Sequence, residues 1–180
     1  MITVIIGSNR PNSHTAIFAR HAYHLLAASQ TETVALLDIK EVADKIVQSD
    51  MYQKDGQSAE VSQIQDQFFI PSHKFWFFVP EYNGSIPGIL KLLLDAISVR
   101  DYQPTFSHKK ACITGVATGR AGNLRGMDHL ADILNHLNVA VLPQKQPISS
   151  SYKLIDETSQ LVDEKTKQLL AQQKEAFLAF

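Results

Sequence analysis

Cysteine is almost absent from this sequence, and so is any long block of like charge. Cys112 is the single cysteine among 180 residues, which excludes an internal disulfide, a CxxC redox motif and a cluster of thiolate metal ligands. The formal net charge is -1, so the chain lacks the excess of basic residues that is typical of proteins that bind nucleic acids or anionic membranes. We therefore expect a small molecule or another protein as the partner, and a reducing, cytoplasmic location.

Long hydrophobic segments are lacking as well. No stretch reaches the roughly 18 consecutive apolar residues of a membrane-spanning helix, and the first residues, MITVIIGS, lack the basic leader of a signal peptide. We expect neither export nor membrane insertion. A hydrophobic fraction of 44% suits one globular α/β domain that spans residues 1–180 and has a sizeable core.

What the sequence does contain is a series of short, continuous apolar runs, which are typical of buried parallel strands. They occupy residues 2–6, 34–39, 75–79, 111–116 and 139–142. Helical periodicity separates or follows them at residues 13–28, 89–99, 124–137 and 161–178. This alternation predicts a flavodoxin-like three-layer α/β sandwich, with a five-stranded parallel sheet in the order 2-1-3-4-5. The polar, weakly patterned residues 40–60 are predicted to form an exposed excursion.

Ligands of open parallel sheets bind beyond the carboxyl ends of the strands, so three loops are of interest: 7–15, 80–88 and 115–123. The first, GSNRPNSHT, precedes a helix N-terminus that attracts an anion. Its side chains can surround a phosphate with hydroxyl and guanidinium donors from Ser8, Arg10, Ser13 and Thr15. It contains neither GxxxxGK[ST] nor GxGxxG, so a phosphomonoester such as that of FMN fits better than a magnesium nucleotide or a dinucleotide. An ordinary capped turn with a surface arginine is the alternative.

The second loop follows the apolar run FWFFV and is stiff and backbone-rich. Pro80 ends the strand, Asn83 and Gly84 can form a turn, and Pro87 is well placed to start a helix. Such a loop presents main-chain N–H and C=O groups to a planar heteroaromatic ring such as a flavin, and Tyr82 can add wall area. The alternative is a rigid turn that only launches the next helix.

These two loops carry a family resemblance. GSNRPNS at residues 7–13 resembles the GSxRxxS loop, and PEYNGSIPGILK at residues 80–91 resembles the PEYNxSxPGxLK signature, of the NAD(P)H-dependent FMN reductases, a flavodoxin-like group that includes quinone, azo-dye and chromate reductases. The resemblance covers roughly residues 1–142. It implies that the FMN phosphate is held by Ser8, Arg10, Ser13, Thr15 and the backbone of His14. It also implies that the flavin ring is lined by Pro80, Glu81, Tyr82 and Asn83.

The third loop, ITGVATGRAGNLRG, matches the family less closely. The family has a serine- and glycine-rich turn here that closes around the ring, and Gly119 and Gly122 fit that pattern. Asn123 stands where the family often repeats glycine, and Val116 and Ala117 replace its usual serines. Arg120 either stabilises the reduced flavin or is an exposed surface residue.

The resemblance implies an enzyme that passes hydride from NAD(P)H to bound FMN and then to a small-molecule acceptor, such as a quinone, an azo compound or free flavin, in a ping-pong scheme. No catalytic side chain and no metal ligand are expected. Family members are usually homodimers or homotetramers, and the apolar residues of segment 92–97 can serve either the core or such an interface. A flavodoxin-type electron carrier is one alternative, although a pI of about 6.6 is high for an acidic docking surface. A non-catalytic flavin-binding module is another, suggested by the irregular third loop.

Overall fold

A computed structural model describes residues 1–29, 32–47, 51–52 and 56–180 of the chain. Its sheet is parallel throughout, with the strand order β2-β1-β3-β4-β5 and with β6 also paired to β4. The strands are β1 (Ile2–Ile6), β2 (Val34–Asp38), β3 (Lys74–Pro80), β4 (Lys110–Val116), β5 (Ala140–Val141) and β6 (Gln146–Ile148). The predicted order of five strands is thus confirmed. The sixth strand escaped prediction because three residues that include a glutamine and a proline give no apolar run.

Helices cover both faces of this sheet. They are α1 (His14–Ala28), α2 (Ala43–Ile46), α3 (Ala59–Ile64), α4 (Gly88–Ala96), α5 (Tyr102–Phe106), α6 (Leu124–His136) and α7 (Glu164–Ala179). A single π-helical turn continues α3 over Gln65–Phe69, and short 3-10 turns lie at Ile39–Glu41 and Ser151–Lys153. The last helix begins at Glu164 rather than at the predicted residue 161, because the Asp163 carboxylate accepts the Thr166 amide at 2.8 Å and caps the helix there. Within the described residues, no helix is both long and apolar enough to cross a membrane.

The two sides of the sheet carry separate hydrophobic cores. Along β3, Phe75 and Phe77 point into the core shared with α4 and α6, whereas Trp76 and Phe78 point into the core shared with α1 and α7, as strand alternation requires. All four side chains are fully buried, which identifies them as core. The segment around Leu93, Leu94 and Ile97 is also buried within the chain itself, so those three side chains serve the core.

The predicted excursion at residues 40–60 is only partly exposed. Ile46 is completely buried at the end of α2, whereas Val47 and Tyr52 are 69% and 70% exposed. Gln57 donates to the carbonyl of Ala96 at 2.9 Å, which ties the end of this segment to α4. Residues 48–50 and 53–55 lie outside the described part of the chain.

The edge of the sheet beside β4 is shared by two short strands. β5 pairs only with Lys110 and Ala111 at one end of β4, and β6 pairs with residues 114–116 at the other. Between them, the buried Gln173 of α7 donates from Nε2 to the carbonyl of Ile113 at 3.1 Å and accepts at Oε1 from the Thr114 hydroxyl at 2.7 Å. A helix side chain therefore bonds to the carbonyl of Ile113, a residue outside the registers of both short strands, and to the hydroxyl of the neighbouring Thr114.

Candidate functional site

The three loops singled out in the sequence meet around one cavity of about 470 Å³. They meet because β1, β3 and β4 are adjacent and parallel, with Ile6 beside Phe78 and Pro80 beside Val116 at their carboxyl ends. The structure brings together ten of the eleven predicted cofactor-binding residues in its wall: Ser8, Arg10, Ser13, His14, Thr15, Pro80, Glu81, Tyr82, Asn83 and Gly119. Their convergence is a structural fact, and their cofactor role stays a prediction.

The first loop places an uncapped helix N-terminus in this wall. Ser13 is the N-cap residue of α1, but its side chain makes no capping hydrogen bond, so the hydroxyl of Ser13 and the amides at the start of the helix, other than that of Ala16, which donates to the Ser13 carbonyl at 3.0 Å, can meet a ligand. The Ser8 hydroxyl is buried and accepts the Arg10 amide at 3.2 Å. Asn12 has a left-handed backbone, with φ 53°, which turns the loop back toward the helix. These donors suit the phosphate of FMN.

The second loop is a tight hairpin. Tyr82 and Ser85 exchange both backbone hydrogen bonds, at 2.9 and 3.0 Å, and Asn83 and Gly84 between them have φ values of 52° and 77°. Two successive positive φ values define a type I′ turn, for which Asn-Gly is the favoured pair. The Ser85 hydroxyl lies 2.5 Å from Nδ1 of His129 on α6. The hairpin therefore presents rigid main chain to the cavity, as a flavin ring would require.

Asn123, the apparent departure from the family pattern, joins the second and third loops. Its side-chain amide donates to the carbonyls of Val79 and Pro80 at 3.1 and 2.9 Å, and its side-chain oxygen accepts the Gly126 amide at 3.1 Å. The residue is completely buried and has a left-handed backbone, with φ 67°. Asparagine supplies both this backbone and these bonds, so the substitution strengthens the wall.

The third loop is hydrogen-bonded to the segment that follows β6. The Ser150 amide donates to the carbonyl of Gly119 at 3.1 Å, and the Ser151 amide donates to that of Ala117 at 3.1 Å. Gly122 does not line the cavity. Its φ is 58°, and a Cβ there would lie 2.7 Å from Cβ of Pro147, so it packs against β6 instead.

Arg120 lies outside the cavity lining and is exposed. Its carbonyl accepts the Ser149 hydroxyl at 2.6 Å, so its backbone also belongs to this braced third loop. The geometry favours the surface alternative for its side chain.

Sequence reasoning missed Ser151 altogether. This buried residue lines the cavity, and its hydroxyl lies 3.0 Å from Nδ1 of His14, a residue 137 positions away. No motif or spacing links two residues so far apart, and the strand that delivers Ser151 was itself not predicted. The remaining unpredicted lining residues are Asn12, Gly84, Val116, Ala117 and Thr118.

The described residues that line the cavity include no cysteine and no lysine. Cys112 lies within β4 in the core shared with α1 and α7, and burial raises the pKa of its thiol. Across residues 1–29, 32–47, 51–52 and 56–180, no group of three or more His, Cys, Asp or Glu side chains is placed to hold a metal ion. The site offers hydrogen bonds and a shaped wall, which suits a cofactor that carries its own chemistry.

Comparisons with known proteins agree with this geometry. A family description named NADPH-dependent FMN reductase matches residues 1–153. The chain shares 40% identity over 101 residues with an NAD(P)H-dependent FMN reductase of Pseudomonas aeruginosa, covering 56% of this chain and 54%, about half, of that protein. It shares 28% identity over 181 residues with a quinone reductase of Escherichia coli (strain K12), covering 99% of this chain and 94% of that one.

Solved structures show the same fold. The NAD(P)H:acceptor oxidoreductase FerB from Paracoccus denitrificans superposes with a TM-score of 0.79 at 20% identity, covering 99% of this chain and 94% of that one. An FMN-dependent NADH-azoreductase from Bacillus anthracis, solved in complex with FMN, gives a TM-score of 0.64 at 16% identity, covering 97% and 98%. The predicted flavodoxin-like class is confirmed. Because the family description accounts for residues 1–153, the chain belongs to the NADPH-dependent FMN reductases.

Proposed function

We propose that the cavity binds FMN and that the protein reduces a small-molecule acceptor with electrons from NAD(P)H. The observation that carries this proposal is the convergence of ten predicted residues on one cavity, with an uncapped helix N-terminus in one part of its wall and a main-chain hairpin in another. Two sequence motifs, at residues 7–13 and 80–91, would thus serve one ligand that has a phosphate and a planar ring.

The residues divide into two groups by the part of FMN they would hold. Ser8, Ser13 and Thr15 would donate to the phosphate together with the first amides of α1, while Arg10 would neutralise its charge. Glu81, Tyr82 and Asn83 would orient the ring through their backbone groups. When bound, FMN supplies a ring that accepts a hydride and later returns it.

The protein's own contribution is positioning. The hairpin from Tyr82 to Ser85 is locked by two backbone hydrogen bonds, and Asn123 fixes the end of β3, so the ring would meet a preorganised wall. One open face of the ring would receive the nicotinamide and then the acceptor, which is the structural requirement of a ping-pong scheme. The name quinone reductase, carried by several relatives, favours a quinone as the acceptor.

The proposal also includes the location of the protein and its oligomeric assembly. The single cysteine, buried in the sheet, favours a reducing cytoplasmic location. A homodimer or homotetramer remains the proposed assembly, on the resemblance to the family alone.

The test begins with the absorbance spectrum of the purified protein before and after addition of FMN. Bound flavin should then bleach within seconds when NADPH or NADH is added without oxygen, and a quinone should restore the colour. Flavin that binds but is not bleached by either nucleotide would indicate an electron carrier, and protein that stays colourless would contradict the cofactor assignment.

A pair of arginine variants tests the phosphate assignment. Arg10→Ala should raise the Kd for FMN about tenfold to a hundredfold, because one charge-assisted hydrogen bond to the phosphate is lost. The Kd for riboflavin, which has no phosphate, should stay the same. Arg120→Ala is the matched control, since Arg120 lies on the third loop outside the cavity lining. An unchanged FMN Kd in Arg10→Ala would refute the assignment.

A further inference from the structure

His14 and Ser151 join two distant segments of the chain in the cavity wall. Both residues line the cavity, and the Ser151 hydroxyl lies 3.0 Å from Nδ1 of His14. His14 is the first residue of α1. Ser151 follows β6, and its amide donates to the Ala117 carbonyl of the third loop at 3.1 Å. The pair therefore connects the predicted phosphate loop with the segment that is hydrogen-bonded to the third loop.

The burial of Ser151 decides which atom donates in this contact. The residue is only 1% exposed, and a buried hydroxyl proton is costly to leave without an acceptor. Among the described residues, Nδ1 of His14 is the one hydrogen-bond partner of this hydroxyl. The hydroxyl therefore donates to Nδ1, so a neutral His14 must carry its own proton on Nε2.

The Nε2–H group of His14 is left as a donor for a bound molecule. Within the described part of the chain it makes no hydrogen bond. The half-buried ring lines the cavity beside Arg10 and Ser13 of the first loop. The single carboxylate among the described lining residues is that of Glu81, which belongs to the second loop. The acceptor for Nε2–H must therefore come from the ligand.

We propose that the His14 side chain donates from Nε2 to the phosphate of FMN and that Ser151 positions it for this bond. The inference rests on the proposed function, because it adds a donor for that cofactor. Arg10 and the first turn of α1 already favour an anion beside His14, and a hydrogen bond to a charged oxygen is stronger than one to a neutral oxygen. The resemblance implied only the backbone of His14 as a ligand, and Ser151 lies outside both motifs.

Two variants of His14 separate the hydrogen-bond donor from the shape of the ring. His14→Phe keeps a planar ring and removes the donor, so the Kd for FMN should rise about tenfold, the lower end of the range for a hydrogen bond to a charged group. The Kd for riboflavin, which has no phosphate, should stay the same. His14→Gln retains an N–H donor near the position of Nε2 and should keep most of the FMN affinity. His24→Gln, at an exposed position of the same helix, is the matched control.

Ser151→Ala tests the positioning role. The Kd for FMN should rise by less than in His14→Phe, because the ring keeps its Nε2 but is no longer held by the hydroxyl. Combining Ser151→Ala with His14→Phe should weaken FMN binding no further than His14→Phe alone, as expected for residues that act through each other. Ser149→Ala is the matched control. It removes a different hydroxyl bond between the same segment and the third loop, to the Arg120 carbonyl, and should leave the ratio of the FMN and riboflavin Kd values unchanged.

Nitrogen NMR of the histidine rings gives a readout that does not depend on affinity. At about pH 8.5, where histidine side chains are ordinarily neutral, His14 of the wild type should carry its proton on Nε2, and FMN should shift that signal more than riboflavin does. The spectrum of His14→Gln identifies the signal by its loss. In Ser151→Ala the form with the proton on Nδ1 should become populated.

The outcomes that overturn the proposal concern each residue separately. A proton on Nδ1 of His14 in the wild type would overturn the role of Ser151, whether or not Ser151→Ala folds. An FMN Kd that is unchanged in His14→Phe, or that rises together with the riboflavin Kd, would overturn the phosphate contact. Failure of the proposed function would look different, since the wild-type protein would then bind no flavin.

Discussion

Replacing Asn123 with alanine should destabilise the protein by about 4 kcal/mol. The change removes three buried hydrogen bonds, which join the side chain to Val79, Pro80 and Gly126 and are worth about 1 kcal/mol each. It also forces alanine into a left-handed backbone with φ 67°, at a cost of about 1 kcal/mol. Asn123→Gly loses the same bonds without the backbone cost, so we expect about 3 kcal/mol from it.

Urea unfolding followed by fluorescence measures both changes. The chain has one tryptophan, Trp76, which is fully buried in β3, so its emission reports loss of the core. With an m-value of about 2 kcal/mol/M, the alanine variant should unfold at a urea concentration about 2 M lower than the wild type. Asn135→Ala, at an exposed position on the same helix, is the matched control and should unfold near the wild-type midpoint.

A cost below about 1 kcal/mol for Asn123→Ala, the value of a single hydrogen bond, or an Asn123→Gly variant as stable as the wild type would refute this role of the side chain. The second result would mean that the position needs only backbone freedom, as a glycine of the family pattern would supply. Because the side chain also anchors the start of the second loop, both variants should bind FMN more weakly than the Asn135→Ala control.

Three further predictions concern buried groups. Burial lowers the pKa of Lys109 to about 8, so the unfolded chain binds more protons between pH 8 and the usual lysine value of 10.5. The free energy of unfolding should therefore rise by about 2 kcal/mol between about pH 7 and pH 9.5, relative to Lys109→Met measured by urea unfolding, and a flat difference would contradict the lowered pKa. The Cys112 thiol, whose pKa is raised by burial, should resist a disulfide reagent in the native protein and react in urea; rapid native labelling would show that the strand opens. Gly122→Ala should cost about 2 kcal/mol or more in urea unfolding, because the added Cβ meets Pro147 at 2.7 Å in a left-handed backbone, whereas Gly88→Ala, with nothing within 4 Å, should unfold near the wild-type midpoint.

The sheet order and the two motif loops were predictable from sequence because their signals are local. The runs that became β1, β3 and β4 are continuous and apolar, and each is followed by a loop whose residue types already suggest a ligand. Since parallel strands end at the same edge of a sheet, the order alone brings these loops together. Arg10 and Tyr82 could thus be assigned to one cavity without coordinates.

The rest of the wall depends on contacts between distant residues. β6 is too short and polar to show a strand pattern, yet it places Ser151 beside His14. Asn123 resembled a defect in the third loop because the sequence shows a missing glycine, whereas the structure shows a left-handed asparagine with three hydrogen bonds. A local sequence pattern reports the conformation that a residue type prefers. The roles of Ser151 and Asn123 depend instead on contacts with residues that are distant in the sequence.

The contact between Gln173 and the sheet edge has a consequence for truncation. The family match ends at residue 153, yet Gln173 lies beyond it and bonds to Ile113 and Thr114 within β4. A chain cut before α7 would keep both motif loops, but the Ile113 carbonyl would lose its partner and the apolar surface under Leu170 and Phe177 would be uncovered, and exposed apolar patches of that kind promote aggregation. Such a fragment should therefore aggregate before its cofactor affinity can be measured, and a minimal flavin-binding unit should retain the last helix.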